Sequence, residues 1–395
     1  MFISHHTDDI PTLKACAATC FRWYHIATPH IYRTLVLQKW HIDVLNEYQN
    51  NRTSPLPSLL ELGFLALVKN LEFKREMLVD RWVAAAIFDS RSIPYFRAMV
   101  NLQELKIADL DFAKFWAGFE KYFGHFSPTL RSVALSRPNG TRRELIDFFR
   151  LFPKLDDIEI SCYDARRMSF EAPEDQIVPV TGGLRGRLTL DTFGEEELLK
   201  DMIVAFGGMR FTSMDLRDVL RGMPLLLVAC GGTLETLRIS MDDIPHPCKA
   251  FDFSVHFPDI RTHSFSQVYP RYFSCNTALR TIEFPMPPTF DPSRGYTRRI
   301  ERLLSAITSP TFSEIVIIFS GRDVYRPSET LASIVREFCK VKKFKVAFCL
   351  ETQGYSRAEN LRMLTLETER AAAAGLYDFL PHPPSVFACT MRKYL

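Results

Sequence analysis

"FPKLDDIEI", residues 152–160, is the stretch that decides the fold. Its last six residues put apolar side chains at Leu155, Ile158 and Ile160, with charged ones between. Successive strand residues point to opposite faces, so Ile158 and Ile160 share one face and Asp157 and Glu159 the other. The pattern is apolar, two variable residues, apolar, one variable residue, apolar. It recurs as "LQELKI" at 102, "LRSVAL" at 130, "LETLRI" at 234 and "LRTIEF" at 279. Looser copies are "YRTLVL" at 32, "VKNLEF" at 68, "RGRLTL" at 185, "FTSMDL" at 211, "FSEIVI" at 312 and "VKKFKV" at 341. A degenerate copy, "IRTHSF" at 260, shows its phase because "FPDIRTHSF" aligns position for position with "FPKLDDIEI".

Most successive copies start 23 to 36 residues apart, the exception being the 19-residue step from 260 to 279. The intervals carry helical apolar spacing: "RRELIDFFRLF" at 142–152, "EEELLKDMIVAF" at 195–206, "RRIERLLSAI" at 298–307 and "ETLASIVREF" at 329–338. Gly182-Gly183, Gly207-Gly208 and Gly231-Gly232 stand just before strand copies and read as turns from helix back to sheet. "TGGLRG" at 181–186 lacks the Lys-Ser/Thr of a phosphate loop and the spacing of a dinucleotide fingerprint.

A strand and a helix alternating at this period predict an α/β fold of parallel strands, built as an irregular solenoid. The copies resemble leucine-rich repeats in their strand half. The Asn or Cys that such repeats carry after the strand is Tyr163 in "LDDIEISCYD", with Cys162 one residue early. Three segments are expected: an N-terminal helical piece running into the first strand over 1–37, the repeat array over 38–355, and a capping helix with tail over 356–395. Within the last, Ser356 and Glu359 make a capping-box signature, and Gly375 lies near the helix end.

Composition narrows the function classes. The 395 residues are 47% hydrophobic and 24% charged, with 32 Phe against 17 Gly, which suits a packed interior. Net charge is +3, and the basic clusters at 141–143, 297–299 and 340–345 are short, so no nucleic-acid partner is expected. No run reaches the roughly 18 apolar residues of a membrane span, and no secretory signal opens the chain. Nine scattered Cys predict reduced thiols and a cytoplasmic or nuclear location. There is no Gly-x-Ser-x-Gly elbow and no His-Glu-x-x-His pair, so neither catalysis nor a cofactor is expected. His263, at an inward position of its copy, reads as a core histidine.

The segment "TLKACAATCFRWYHIATPHIYRTLVL", residues 12–37, admits three readings. As a metal knuckle, Cys16, Cys20, His25 and His30 have nearly the right spacing. On one continuous helix, however, His25 faces away from Cys16, and tetrahedral ligands must converge. As a core helix, Leu13, Cys16, Cys20, Trp23 and Ala27 form an apolar stripe, capped by Thr12 or Asp9 and ended at Pro29. As a junction, the helix is fused through "ATPHI" to the first strand copy.

The order Leu13, Cys16, Cys20, Trp23, then Pro29-His30, then "IYRTLVL" resembles the second half of an F-box, as in fungal F-box proteins with leucine-rich-repeat-like tails. The resemblance implies a substrate-recognition subunit of a Skp1-cullin-F-box (SCF-type) ubiquitin ligase, with a Skp1-like adaptor and a protein substrate as partners. By position, Leu13, Cys16, Cys20 and Trp23 match core and Skp1-facing residues, and Pro29, His30 and Tyr32 match the turn into the first repeat. The family's motif opens with a Leu-Pro-x-Glu helix, of which "MFISHHTDD" reads as the tail. The alternative is therefore a scaffold that does not dock Skp1.

On such an array the outward strand positions form the partner face. Here they are Asp157, Glu159, Arg187, Asp191, Asp215, Arg217, Arg238, Glu283, Lys343 and Lys345. Their alternating signs suit a protein better than a polyanion.

Overall fold

The structure, a computed structural model, describes residues 9–37, 55–73, 93–109, 112, 123–163, 184–193, 196–217, 223–239, 273–285, 303, 307–320 and 345–351. The chain divides into two compact units: residues 1–185 with 201–207, and residues 186–200 with 208–395.

The first unit opens on two helices, α1 (Ile10–Thr19) and α2 (Phe21–Ile31). They run into β1 (Thr34–Leu37), β2 (Asn70–Phe73), β3 (Glu104–Ala108), β4 (Ser132–Ser136) and β5 (Asp157–Tyr163). These strands lie in chain order, and each pairs in parallel with the next. A parallel neighbour needs a crossover connection. Short helices lie within three of them: α3 (Pro55–Glu61), α4 (Ile93–Ala98) and α5 (Arg142–Arg150).

The second unit holds most of β6 (Leu184–Phe193), then β7 (Met209–Arg217), β8 (Thr236–Ile239), β9 (Thr281–Pro285), β10 (Glu314–Ser320) and β11 (Lys345–Glu351), again in chain order. β7 to β11 pair in parallel. Two helices, α6 (Glu196–Ala205) and α7 (Met223–Ala229), lie in the connections after β6 and β7.

The hexad pattern sets the register. The third residue of one copy pairs with the third of the next: Thr34 with Asn70, Asn70 with Glu104, Glu104 with Ser132, Ser132 with Asp157. The carbonyl of the second residue accepts two N–H groups from the following strand. Arg33 takes those of Lys69 (2.8 Å) and Asn70 (3.0 Å), and Arg131 those of Asp156 (2.8 Å) and Asp157 (3.0 Å). The same relation joins Glu235 to Arg280 (2.8 Å) and Thr281 (3.0 Å) in the second unit. Side chains stitch the turns that feed the strands: Asn101 Nδ2 donates to the Ala66 carbonyl at 2.8 Å, and Ser309 Oγ to that of Leu279 at 2.7 Å.

The three apolar positions of each copy supply the core. Leu102, Leu105 and Ile107 are buried, as are Leu130, Val133 and Leu135, then Leu155, Ile158 and Ile160. Leu234, Leu237 and Ile239, and Leu279, Ile282 and Phe284, repeat this in the second unit. Each such side chain contributes about 1.5–3 kcal/mol by leaving water. Phenylalanines fill the space behind β2 to β5. Phe123 lies 6.0 Å from Phe73 and 5.4 Å from Phe96, ring centre to ring centre. Phe148 lies 5.4 Å from Phe112 and 5.3 Å from Phe152.

The helices predicted at 142–152 and 195–206 are α5 and α6. Thr141 Oγ1 accepts from the Glu144 N–H at 3.2 Å, while Glu144 Oε2 accepts from the Thr141 N–H at 2.7 Å, closing a capping box. At Gly207 and Gly208 the backbone takes φ of 62° and 104° before β7, which glycine adopts without strain.

Four expectations are corrected. β8 pairs directly with β9, so no strand from the copy at 260 stands between them, and the repeat step there runs from 234 to 279. Residues 260–265, His263 included, lie outside the described residues. The last copy is read two residues later than expected, because Lys345, not Lys343, stands opposite Glu314. A two-residue shift preserves the alternation, so the apolar spacing after 341 fits both registers.

The single helix expected over 12–28 is two. Cys20 is extended (φ −164°, ψ 164°) and both ends α1 and precedes α2. Thr19 Oγ1 donates to the Cys16 carbonyl at 2.7 Å, a local bond that competes with continuation of the helix. Pro29 does not end α2 but sits inside it, and the Tyr32 N–H still reaches the Thr28 carbonyl at 3.1 Å. The predicted helices at 298–307, 329–338 and 356–380 fall largely or wholly outside the described residues.

Candidate interaction site

Two surfaces gather the residues singled out from the sequence: the α1–α2 pair and the outward strand positions.

Asp9 caps α1, accepting from the Thr12 N–H at 3.1 Å. Leu13 and Ala27 form a small buried cluster, with Ile10, Ala17, Trp23 and Ile31 packed against it. Leu13 is thus fully enclosed and Trp23 half-buried. Cys16 is half-buried, while Cys20 and Pro29 are exposed. Tyr32 stacks on Phe64, ring centres 4.4 Å apart, which ties the end of α2 to the chain before β2. His30 is half-buried beside it in sequence. Away from that cluster α2 carries exposed Phe21 and Tyr24, and Ile26 is exposed on a different side of the helix. The His25 ring sits edge-on to Phe21 at 4.1 Å and to Tyr24 at 5.6 Å.

On the first unit's strands, Asp157 is half-buried and Glu159 exposed. Their register partners are Ser132 and Ala134. In the second unit Arg187 is exposed and Asp191 half-buried. Asp215, Arg238 and Glu283 occupy the same repeat position on β7, β8 and β9 and are direct register partners. All three are buried, at 7%, 5% and 2% exposure, where the alternation alone points them away from the core. Asp215 meets Arg217 Nη2 at 2.7 Å and Arg238 Nε at 3.5 Å. This part of the outward face is an enclosed charge network, not an open one. Lys345 heads β11, and Lys343 lies outside the described residues.

Two features escaped the sequence reading. One is the aromatic face of α2. The other is a clamp behind β3 and β4, where Asp109 and Arg137 both take left-handed backbones (φ 55° and 51°). Arg137 Nη2 lies 2.7 Å from Asp109 Oδ2. Their N–H groups reach the carbonyls of Ser136 (2.7 Å) and Ser161 (2.8 Å) in the adjoining strands. Asp tolerates this conformation, but nothing marks Arg137 for it.

Among the described residues no group of three or more His, Cys, Asp or Glu could hold a metal ion. No helix there is long and apolar enough to cross a membrane. The thiol of Cys230 is pushed up to about 11 by burial, so it is a protonated core group.

The fold and these surfaces define a class: an α/β protein whose parallel strands repeat one register device, preceded by a helical pair. No protein-family model matches the chain, and no curated protein does.

Proposed function

We propose that this chain is a protein-interaction adaptor, the substrate-recognition subunit of an SCF-type ubiquitin ligase. In this reading α1 and α2 are the F-box-like piece that docks a Skp1-like adaptor. The strands and helices that follow form a leucine-rich-repeat-like solenoid that holds a protein substrate, and the chain performs no catalysis.

The observation that carries the reading is the junction itself. A two-helix piece with its own small Leu13–Ala27 cluster passes within three residues into the first strand of a repeated parallel array. The substrate side rests on the open outward positions, Glu159 and Arg187 foremost. Immobilised Skp1 should retain the full chain. Leu13→Asp, which places a charge in the helical pair's cluster, should abolish retention while the repeats stay folded. Equal retention of the variant and the parent would remove the assignment of α1 and α2.

A further inference from the structure

We infer that the strand-entry edge of the first unit is a cationic row that holds an extended, acidic segment of a partner protein. This names the class of substrate segment and rests on the adaptor reading for calling it a substrate. The row itself is set by the register of β1 to β5.

The second residue of each hexad stands just before its strand. In the first five strands it is Arg33, Lys69, Gln103, Arg131 and Asp156. Backbone bonds join these residues in one line. The Arg33 carbonyl takes the Lys69 N–H at 2.8 Å, that of Lys69 the Gln103 N–H at 2.7 Å, that of Gln103 the Arg131 N–H at 2.8 Å, and that of Arg131 the Asp156 N–H at 2.8 Å. The same bonding at each step gives the side chains a common direction, and neighbouring strands stand about 4.8 Å apart. Arg33, Lys69, Gln103 and Arg131 are all exposed. Cations far apart in the chain thereby become neighbours along one edge.

Two more cations join at the far end. Arg131 Nη1 donates to the Lys154 carbonyl at 3.2 Å, and Lys154 is exposed. Arg131 and Arg185 share Asp156, at 3.8 and 3.3 Å. One carboxylate thus serves two of the row's guanidinium groups and leaves the edge positive. The sheet face beside it does not cancel that charge. Arg33, Lys69 and Arg131 are followed by uncharged Thr34, Asn70 and Ser132, and Glu104 beside Gln103 is met by Lys106 at 3.0 Å.

Width selects the occupant. Glu72 and Glu159 stand farther along β2 and β5, so carboxylates border the row on its strand side. A broad polyanion such as a duplex or an anionic bilayer would overlie both and be repelled by the second. A single extended chain is narrow enough to follow the row alone. Its alternate side chains face one way, about 7 Å apart, and carboxylates there meet the planar forks of Arg33 and Arg131 in the geometry guanidinium favours.

The test uses the full chain without Skp1 and reads fluorescence anisotropy at low salt. The probes are a peptide alternating Glu and Ser over about eight residues, its Lys/Ser counterpart, and single-stranded oligodeoxythymidine of matching length. The acidic peptide should bind, and the other two should bind more weakly. Lys69→Glu should weaken the acidic peptide by about tenfold or more, whereas Lys69→Arg should keep it and Lys14→Glu, on α1 outside the row, should leave it unchanged. Lys14 and Lys69 are exposed, so these variants should retain the parent's thermal unfolding, and Arg33→Glu repeats the test if Lys69→Glu unfolds. Equal binding of the two peptides, no binding of the acidic one, tighter binding of the oligonucleotide, or equal effects of Lys69→Glu and Lys14→Glu would each overturn the inference. Skp1 retention enters none of these readouts, so the adaptor reading and this one fail separately.

Discussion

Asp215 and Arg238 are direct register partners on β7 and β8, with Asp215 Oδ1 3.5 Å from Arg238 Nε and side chains only 10% and 6% exposed. A charge removed from water is tolerated when its partner stays. Arg238→Met removes the cation at 3.5 Å while Arg217 still meets Asp215 at 2.7 Å, and should cost about 1–3 kcal/mol in urea unfolding. Pairing it with Asp215→Leu should recover part of that loss, because the two changes remove a coupled pair. Strictly additive losses would mean that the pair is not coupled.

The start of α5 offers a smaller, cleaner perturbation. Thr141→Ala deletes the side-chain half of the capping box and should cost about 1 kcal/mol, whereas Thr141→Ser should be nearly neutral. Chemical denaturation of the three proteins checks this, and equal midpoints would contradict the cap.

Adjacent glycines should behave differently. A Cβ on Gly231 would stand 2.9 Å from the Cys275 carbonyl oxygen, while one on Gly232 meets nothing within 4 Å. Gly231→Ala must shift backbone and should destabilise by about 1–3 kcal/mol. Gly232→Ala should stay within about 0.5 kcal/mol. A reversed order would mean that the approach of the Cys275 segment to Gly231 is wrong.

Thiol chemistry separates core from surface. Iodoacetamide at pH 8 should label exposed Cys20 readily and leave Cys230 unmodified until the protein unfolds, as read by peptide mass spectrometry. The folded Cys230 thiol lies at about 11 against an ordinary 9.0. The unfolded chain therefore gives up this proton first as pH rises. The stability contributed by the neutral buried thiol is fully present below pH 9 and lost between about pH 9 and 11, roughly 2–3 kcal/mol in all. Cys230→Ala should flatten that part of the pH profile.

The fold was legible where one short pattern repeats in phase. Leu155, Ile158 and Ile160 set a register that Leu130, Val133 and Leu135 share, and backbone bonds need only that register. The apolar spacing of "RRELIDFFRLF" marked α5 in the same local way, while its Thr141–Glu144 capping box emerged only in the structure. Long-range facts were not legible. Nothing in "IRTHSF" says that β8 skips past it to β9, and nothing in Asp215 or Arg238 says that their side of the strand is enclosed. The break at Cys20 is accompanied by a bond from the Thr19 hydroxyl to the Cys16 carbonyl, a local choice invisible to apolar spacing. The exposure of Phe21 and Tyr24 was not legible either, because apolar spacing marks the stripe that packs and gives no sign that further apolar residues stay outside.

The central claim is that the α1–α2 pair docks a Skp1-like adaptor. Size-exclusion chromatography with light scattering on the full chain mixed with purified Skp1 tests it most directly. The account predicts a single 1:1 complex that Leu13→Asp abolishes. Separate elution of the two proteins, repeated when a Leu-Pro-x-Glu helix is added ahead of α1, would contradict it.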